Sequence, residues 1–187
     1  MALVVVILFS VEPGASVARP SLQWSGQVVG ISDGDTITVL TDNKQPIKVR
    51  LTEIDAPEKH QPWGAKSKQL LSDLVYSKRV RVQENGQDRY GRTLGRVYLG
   101  DLDVSAEMIR RGGAWAYRKY LTDPSLLVVE GRAKAAKRGL WSLPEGQRQP
   151  PWEWRRRGRV SGQSGGPDAT RMAQVRRGAP ANEIRAA

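Results

Sequence analysis

The chain has no cysteine, one histidine and one phenylalanine among its 187 residues, and only 19 acidic side chains against 30 lysines and arginines. The missing thiols exclude a disulfide framework, a thiolate zinc site and a cysteine nucleophile. A single imidazole, His60, cannot build a histidine-based metal site, and in a loop it reads as a bystander to any chemistry. The shortage of acid leaves a formal charge of +11, which favours a polyanionic partner, nucleic acid ahead of an anionic membrane. The one phenylalanine, Phe9, sits in the N-terminal apolar run, so the folded core must be built from aliphatics, tryptophan and tyrosine.

Long hydrophobic runs are also lacking. Residues 1–10 are mostly apolar but too few to cross a bilayer as a helix, and Ser16-Val17-Ala18 follows as a small-x-small cleavage site. Residues 1–18 therefore read as a signal peptide or a short anchor, the second alternative standing because no Lys or Arg precedes the apolar run. Export is the expectation, to the periplasm or the medium. A long basic amphipathic helix is missing too, since residues 63–78 are only mildly basic, and no stable membrane partner is expected.

What is present is a succession of short β-type patterns. Val28, Val29 and Ile31 precede a break at Ser32-Asp33-Gly34-Asp35. Ile37 and Val39 alternate with polar residues, as do Ile47, Val49 and Leu51, then Val80 and Val82, then Leu94, Val97 and Leu99. Helical spacing appears over residues 63–78, 104–111 and 125–138, the second beginning after Asp103 as a cap and ending at Gly112-Gly113. Five strands with about three helices predict a mainly β domain, a five-stranded OB-type barrel over residues 24–145. Residues 146–187 form a Pro/Trp segment and an arginine-rich tail. From Arg155 onward eight arginines face one aspartate and one glutamate, a composition expected to remain disordered. Such a tail is either an electrostatic tether for phosphate backbones or a solubilising extension.

Four segments carry candidate chemistry. Asp33-Gly34-Asp35-Thr36 is a turn with two carboxylates; it fails as an EF-hand loop because Ile37 stands where an oxygen ligand is needed. In the segment from Arg50 to Glu58, Arg50 points away from a core formed by Val49 and Leu51, and Pro57 stiffens the turn presenting Glu58. Asp88-Arg89-Tyr90-Gly91-Arg92 reads as a hairpin with a basic tip. Trp115-Ala116-Tyr117-Arg118-Lys119-Tyr120 interleaves aromatics with cations, which suits base stacking beside a phosphate track, although Trp115 reads equally as packing.

Taken in order, Val29-x-x-x-Asp-Gly-Asp-Thr, Arg50-x-x-x-x-Asp-Ala-Pro-Glu58 and Asp88-x-Tyr-Gly-Arg-x-Leu-Gly95 resemble the staphylococcal (micrococcal) nuclease family, also called thermonucleases, over residues 26–141. The resemblance implies a calcium-dependent endonuclease acting on DNA and RNA with low sequence specificity and leaving 3′-phosphates, as a monomer. It implies Asp35, Asp55 and the carbonyl of Ala56 as calcium ligands, with Asp33 in support. It implies Arg50, Glu58 and Arg92 as catalytic residues, and Tyr90 and Tyr117 as nucleotide contacts, with Arg89 and Lys119 beside them as cations for the substrate. The residue types suit phosphodiester hydrolysis. Two carboxylates and a carbonyl leave a hard cation room for water and a phosphate oxygen, and guanidinium forks hold phosphate as an ammonium cannot. A non-catalytic OB-type nucleic-acid-binding module is the alternative; it should lack one or more of Asp35, Arg50, Asp55, Glu58 and Arg92, and all five are present.

Overall fold

The alternating residues between positions 25 and 51 form an antiparallel meander in the computed structural model, which describes residues 22–163. The expected signal or anchor, residues 1–18, and the tail beyond Gln163 lie outside the described residues. Strand β1 (Gln23–Asp33) pairs with β2 (Thr36–Thr41), and β2 with β3 (Pro46–Leu51). A two-residue strand β4 (Ile54–Asp55) leads to helix α1 (Gly64–Val75), then β5 (Arg79–Gln87), β6 (Thr93–Leu99) and the short β7 (Leu102–Asp103). Helix α2 (Val104–Arg110), the two-residue β8 (Trp115–Ala116), α3 (Ser125–Ala135) and α4 (Pro151–Gln163) complete the order.

β5 pairs with both β1 and β6, and β6 returns alongside β3 in parallel, so five strands close into a mixed barrel with β7 appended to β6. The OB-type barrel expected from the strand pattern is what forms. Its interior is β-branched: Val28, Ile37, Val39, Val49, Val82 and Val97 are wholly buried, the side-chain type that packs best on a pleated surface. Two register shifts in β1, between Val28 and Gly30 and between Ile31 and Asp33, bend it around the barrel. Where β3 meets β6 the fit is tight. A Cβ on Gly95 would lie 2.8 Å from a Val82 methyl and 3.2 Å from a Val49 methyl, so the closing strand needs glycine there.

Leu71, Leu74 and Val75 of α1 and Met108 and Ile109 of α2 cap the barrel core. The expected cap on α2 forms, the Asp103 carboxylate accepting from Ala106 N at 3.1 Å. α1 and α3 each end before the sequence boundary, since Tyr76 is already extended and Ser77 and Lys137 turn to φ of 60° and 49°. A second apolar cluster joins Trp115, Ala133, Leu140 and Trp141, with Trp63 and Trp152 against it. Trp115 therefore belongs to packing, edge-on to Trp141 at 5.3 Å.

Two further features depart from the sequence expectation. The β4–β8 pair (Ile54↔Ala116, Asp55↔Trp115) is too short to leave a periodic signal. The expectation of disorder from Arg155 fails through Gln163, because α4 is helical there. Pro151 opens that helix at a position needing no N–H, and Trp152 finds burial on the tryptophan cluster that average composition does not foresee.

Glu53 ties the segment after β8 to the barrel. Its Oε1 accepts at 2.7 Å from Thr122 N, Thr122 Oγ1 and Asp123 N, Arg96 approaches Oε2 at 3.3 Å, and its carbonyl accepts from Tyr117 N at 2.8 Å. Burial opposes the charge, yet the donors from Thr122 and Asp123 prevail and hold the carboxyl below its usual value. This contribution is complete above the unfolded value of 4.5 and is lost as pH falls through the lower folded one. Glu53→Gln is expected to cost about 1–3 kcal/mol at neutral pH, the gap from the parent narrowing at about pH 3, as read by urea denaturation at both pH values.

Candidate active site

The two-residue turn between β1 and β2 aims Asp35 inward. Asp33 Oδ1 accepts from Asp35 N at 3.2 Å, and Gly34 between them packs so closely that an added Cβ would strike the Ser67 hydroxyl of α1 and come within 2.9 Å of the Ala56 methyl. Asp35 is 5% exposed; its Oδ2 accepts from Ala56 N at 2.8 Å and its Oδ1 from Thr36 Oγ1 at 3.1 Å. Asp55, wholly buried at the end of β4, stands beside it. Arg50, leaving β3, joins the two: one terminal nitrogen lies 2.8 Å from Asp35 Oδ2, the other 2.9 Å from Asp55 Oδ1. Its fork is braced by the carbonyls of Leu51 at 3.3 Å and Ile54 at 3.2 Å.

Glu58 follows the Ala56-Pro57 turn, its N–H donating to Gln61 Oε1 at 3.1 Å. Its carboxylate meets a residue outside the sequence-derived set. Arg155 of α4 donates to Glu58 Oε1 at 2.6 Å, to Asp55 Oδ2 at 2.7 Å and to Asp55 Oδ1 at 3.2 Å. Arg155 was legible only as one of a run of three arginines; nothing local marks it, because its partners lie about a hundred residues away.

The structure thus brings Asp35, Arg50, Asp55, Ala56 and Glu58 into one cluster. Arg92 stands apart from them. It is held by Asp88, whose Oδ2 takes the Arg92 Nε at 2.8 Å and Nη2 at 2.7 Å, while Oδ1 accepts the backbone N–H of Tyr90 and Arg92. Gly91, at φ of 75°, makes that turn possible. These bonds hold the Asp88 carboxyl below its usual range against the opposing effect of burial, and Asp88 is the positioning residue of this tip. The β3–β6 pairing sets Arg50 opposite Leu94, two residues beyond Arg92, so the tip rises at the same end of the barrel as the carboxylates.

The aromatic candidates divide in the same way. Tyr90 is 69% exposed on the tip, with the Arg89 guanidinium over its ring at 4.8 Å. Tyr117 is half-buried, edge-on to Tyr120 at 5.0 Å and stacked on Trp152 at 5.5 Å with ring planes 6° apart. Lys119 is exposed over Tyr120. His60 lines a shallow groove with Trp63, Leu143 and Gln147 and makes no hydrogen bond with the cluster.

The donor set suits a hard cation. Burial above all, with the neighbouring Asp33 adding to it, pushes the Asp35 carboxyl up to about 8 even though Arg50 opposes the shift. Among the described residues no group of three or more His, Cys, Asp or Glu side chains is placed to hold a metal ion by itself. A cation here would rest on Asp35, Asp55, a carbonyl and water, the oxygen-rich and incomplete coordination that calcium accepts.

Residues 48–143 match the family model described as staphylococcal nuclease homologue. An uncharacterized endonuclease of Haemophilus influenzae is 49% identical over 135 residues, covering 72% of this chain and 75% of that protein. The micrococcal nuclease of Shigella flexneri is 46% identical over 144 residues, covering 71% and 81%. Protein ParB of Escherichia coli is 45% identical over 152 residues, covering 75% and 84%.

A buried carboxyl raised from 3.8 to about 8 destabilises the metal-free fold progressively as pH climbs between those values. Asp35→Asn is therefore expected to melt higher than the parent in chelator near pH 8, by roughly 1–3 kcal/mol, and to lose any rise in melting temperature on adding calcium. Calorimetry with and without chelator reads both effects.

Proposed function

Because the chain belongs to the staphylococcal nuclease homologue family, we propose that it is a calcium-dependent endonuclease that hydrolyses DNA and RNA to 3′-phosphates with low sequence specificity. Nuclease activity itself follows from the family; the metal, the products and the residue roles are the substance of the proposal. The observation that carries it is the cluster in which Asp35, Asp55 and Ala56 adjoin Arg50 and Glu58.

Asp35, Asp55 and the Ala56 carbonyl would hold calcium, which supplies Lewis acidity and a template for one phosphate oxygen. Glu58 orients the attacking water and takes its proton. Water oxygen bonds to phosphorus as the bond to the 5′-oxygen breaks; that oxygen leaves with a proton as a 5′-hydroxyl, and the phosphate remains on the 3′ side. Arg50 and Arg92 hold the remaining phosphate oxygens in planar forks, strengthening as charge accumulates. Tyr90 and Tyr117 stack on bases, with Arg89 and Lys119 along the backbone, contacts that carry little sequence information. Residues 1–18 add the proposal that the enzyme acts outside the cytoplasm, and the chain is proposed to work as a monomer.

Glu58→Gln is expected to lower kcat by about 10²–10⁴-fold while leaving oligonucleotide affinity in calcium nearly unchanged. Plasmid cleavage beside a binding titration tests this, and undiminished cutting would remove Glu58 from the mechanism. Arg92→Lys should lose most of its activity through loss of the bidentate fork, with end-group analysis of residual products still giving 3′-phosphates.

A further inference from the structure

Arg155 and Trp152 lie three residues apart on α4 and close the site at two points. Trp152 lies parallel to the Tyr117 ring, occupying a face on which a base would stack. Arg155 donates to both oxygens of Asp55 and to Glu58, the oxygens that a cation and a water need. The segment before α4 is fastened to the same loop. Gln61 accepts from Glu58 N through its Oε1 and donates through its Nε2 to the Gln149 carbonyl, so one side chain joins the glutamate's turn to the start of the helix.

We propose that α4 is an intramolecular plug, in which Arg155 takes the place of the divalent cation on Asp55 and of the water on Glu58 while Trp152 covers Tyr117, and that metal and nucleic acid together displace it. The inference rests on the nuclease reading of this cluster and extends it. Arg155 spans Asp55 and Glu58, while Arg50 spans Asp35 and Asp55. A divalent ion brings twice the charge of the guanidinium it replaces, so calcium and Arg155 compete for Asp55, and apparent calcium affinity falls by the fraction of molecules that are open. Trp152 also packs on the tryptophan cluster, which gives the closed state its anchor.

The test is calcium binding by calorimetry on the full chain and on Arg155→Gln, whose side chain cannot stand in for a cation. The variant is expected to bind calcium about tenfold tighter and to cut faster at limiting calcium, converging with the parent at saturation. The absence of native cysteine permits a second measurement that does not depend on activity: spin labels at Asp101→Cys and Arg156→Cys, both exposed positions, read the distance from α4 to the barrel. That distance is expected to lengthen or broaden when calcium and a non-hydrolysable oligonucleotide are added. Equal or weaker calcium binding by the variant, or an unchanged distance in the loaded protein, overturns the plug. If the parent still cleaves with calcium in that case, the nuclease reading survives alone; if neither protein binds calcium, both fall.

Discussion

Asp35 and Asp55 are buried side by side against the Arg50 guanidinium, at 2.8 and 2.9 Å, and the economy of this end of the barrel follows from that contact. Carboxylates removed from water must be matched by positive charge or be protonated; Arg50 is shared between Asp35 and Asp55, Arg155 reaches Asp55 but not Asp35, and Asp33 stands close by Asp35. Burial, with Asp33 adding to it, outweighs Arg50 at Asp35 and displaces its carboxyl upward to about 8. Within the structure the buried carboxylates are met by two guanidinium groups, Arg50 on Asp35 and Asp55 and Arg155 on Asp55.

The barrel makes that arrangement possible by bringing three separate stretches of chain to one place. The β1–β2 turn presents Asp35, the close of β3 presents Arg50, and β4 presents Asp55 where it pairs with β8. Glycine at positions 34 and 95 permits the approach, one beneath the aspartate turn and one at the β3–β6 seam. Glu53 and Arg96 then secure the segment carrying Tyr117, so the aromatic platform is anchored to the same strand connection that carries the carboxylates. The tryptophan cluster does the work of the missing phenylalanines behind it.

Charge enters twice in this chain, and the two uses differ. The general excess of lysine and arginine acts at a distance, drawing in a polyanion and weakening with salt. Arg50, Arg92 and Arg155 act by contact, Arg92 on Asp88 alone and the other two each on a pair of carboxylates, with geometry rather than net charge setting their effect. Arg92, tied to Asp88 on a separate tip, is the one of the three that leaves the central aspartates untouched.

Much of this was legible in the sequence because it is local. Alternating valines and isoleucines announced the barrel strands, Asp103 announced the start of α2, and the spacing within Asp33-Gly34-Asp35 and within the segment from Arg50 to Glu58 marked the acidic turn and its neighbours. Two-residue strands carry no periodicity, so β4 and β8 were beyond reach, and α4 was hidden in a segment whose average composition is that of a disordered tail. By itself the sequence determined the residue types and the turns that expose them, since both depend on neighbours along the chain. Only the tertiary structure decided that Arg155 would meet Asp55 across about a hundred residues, and that Trp152 rather than solvent would cover Tyr117. Burial and Coulomb energy are functions of distance in space, and the chain states only distance along itself.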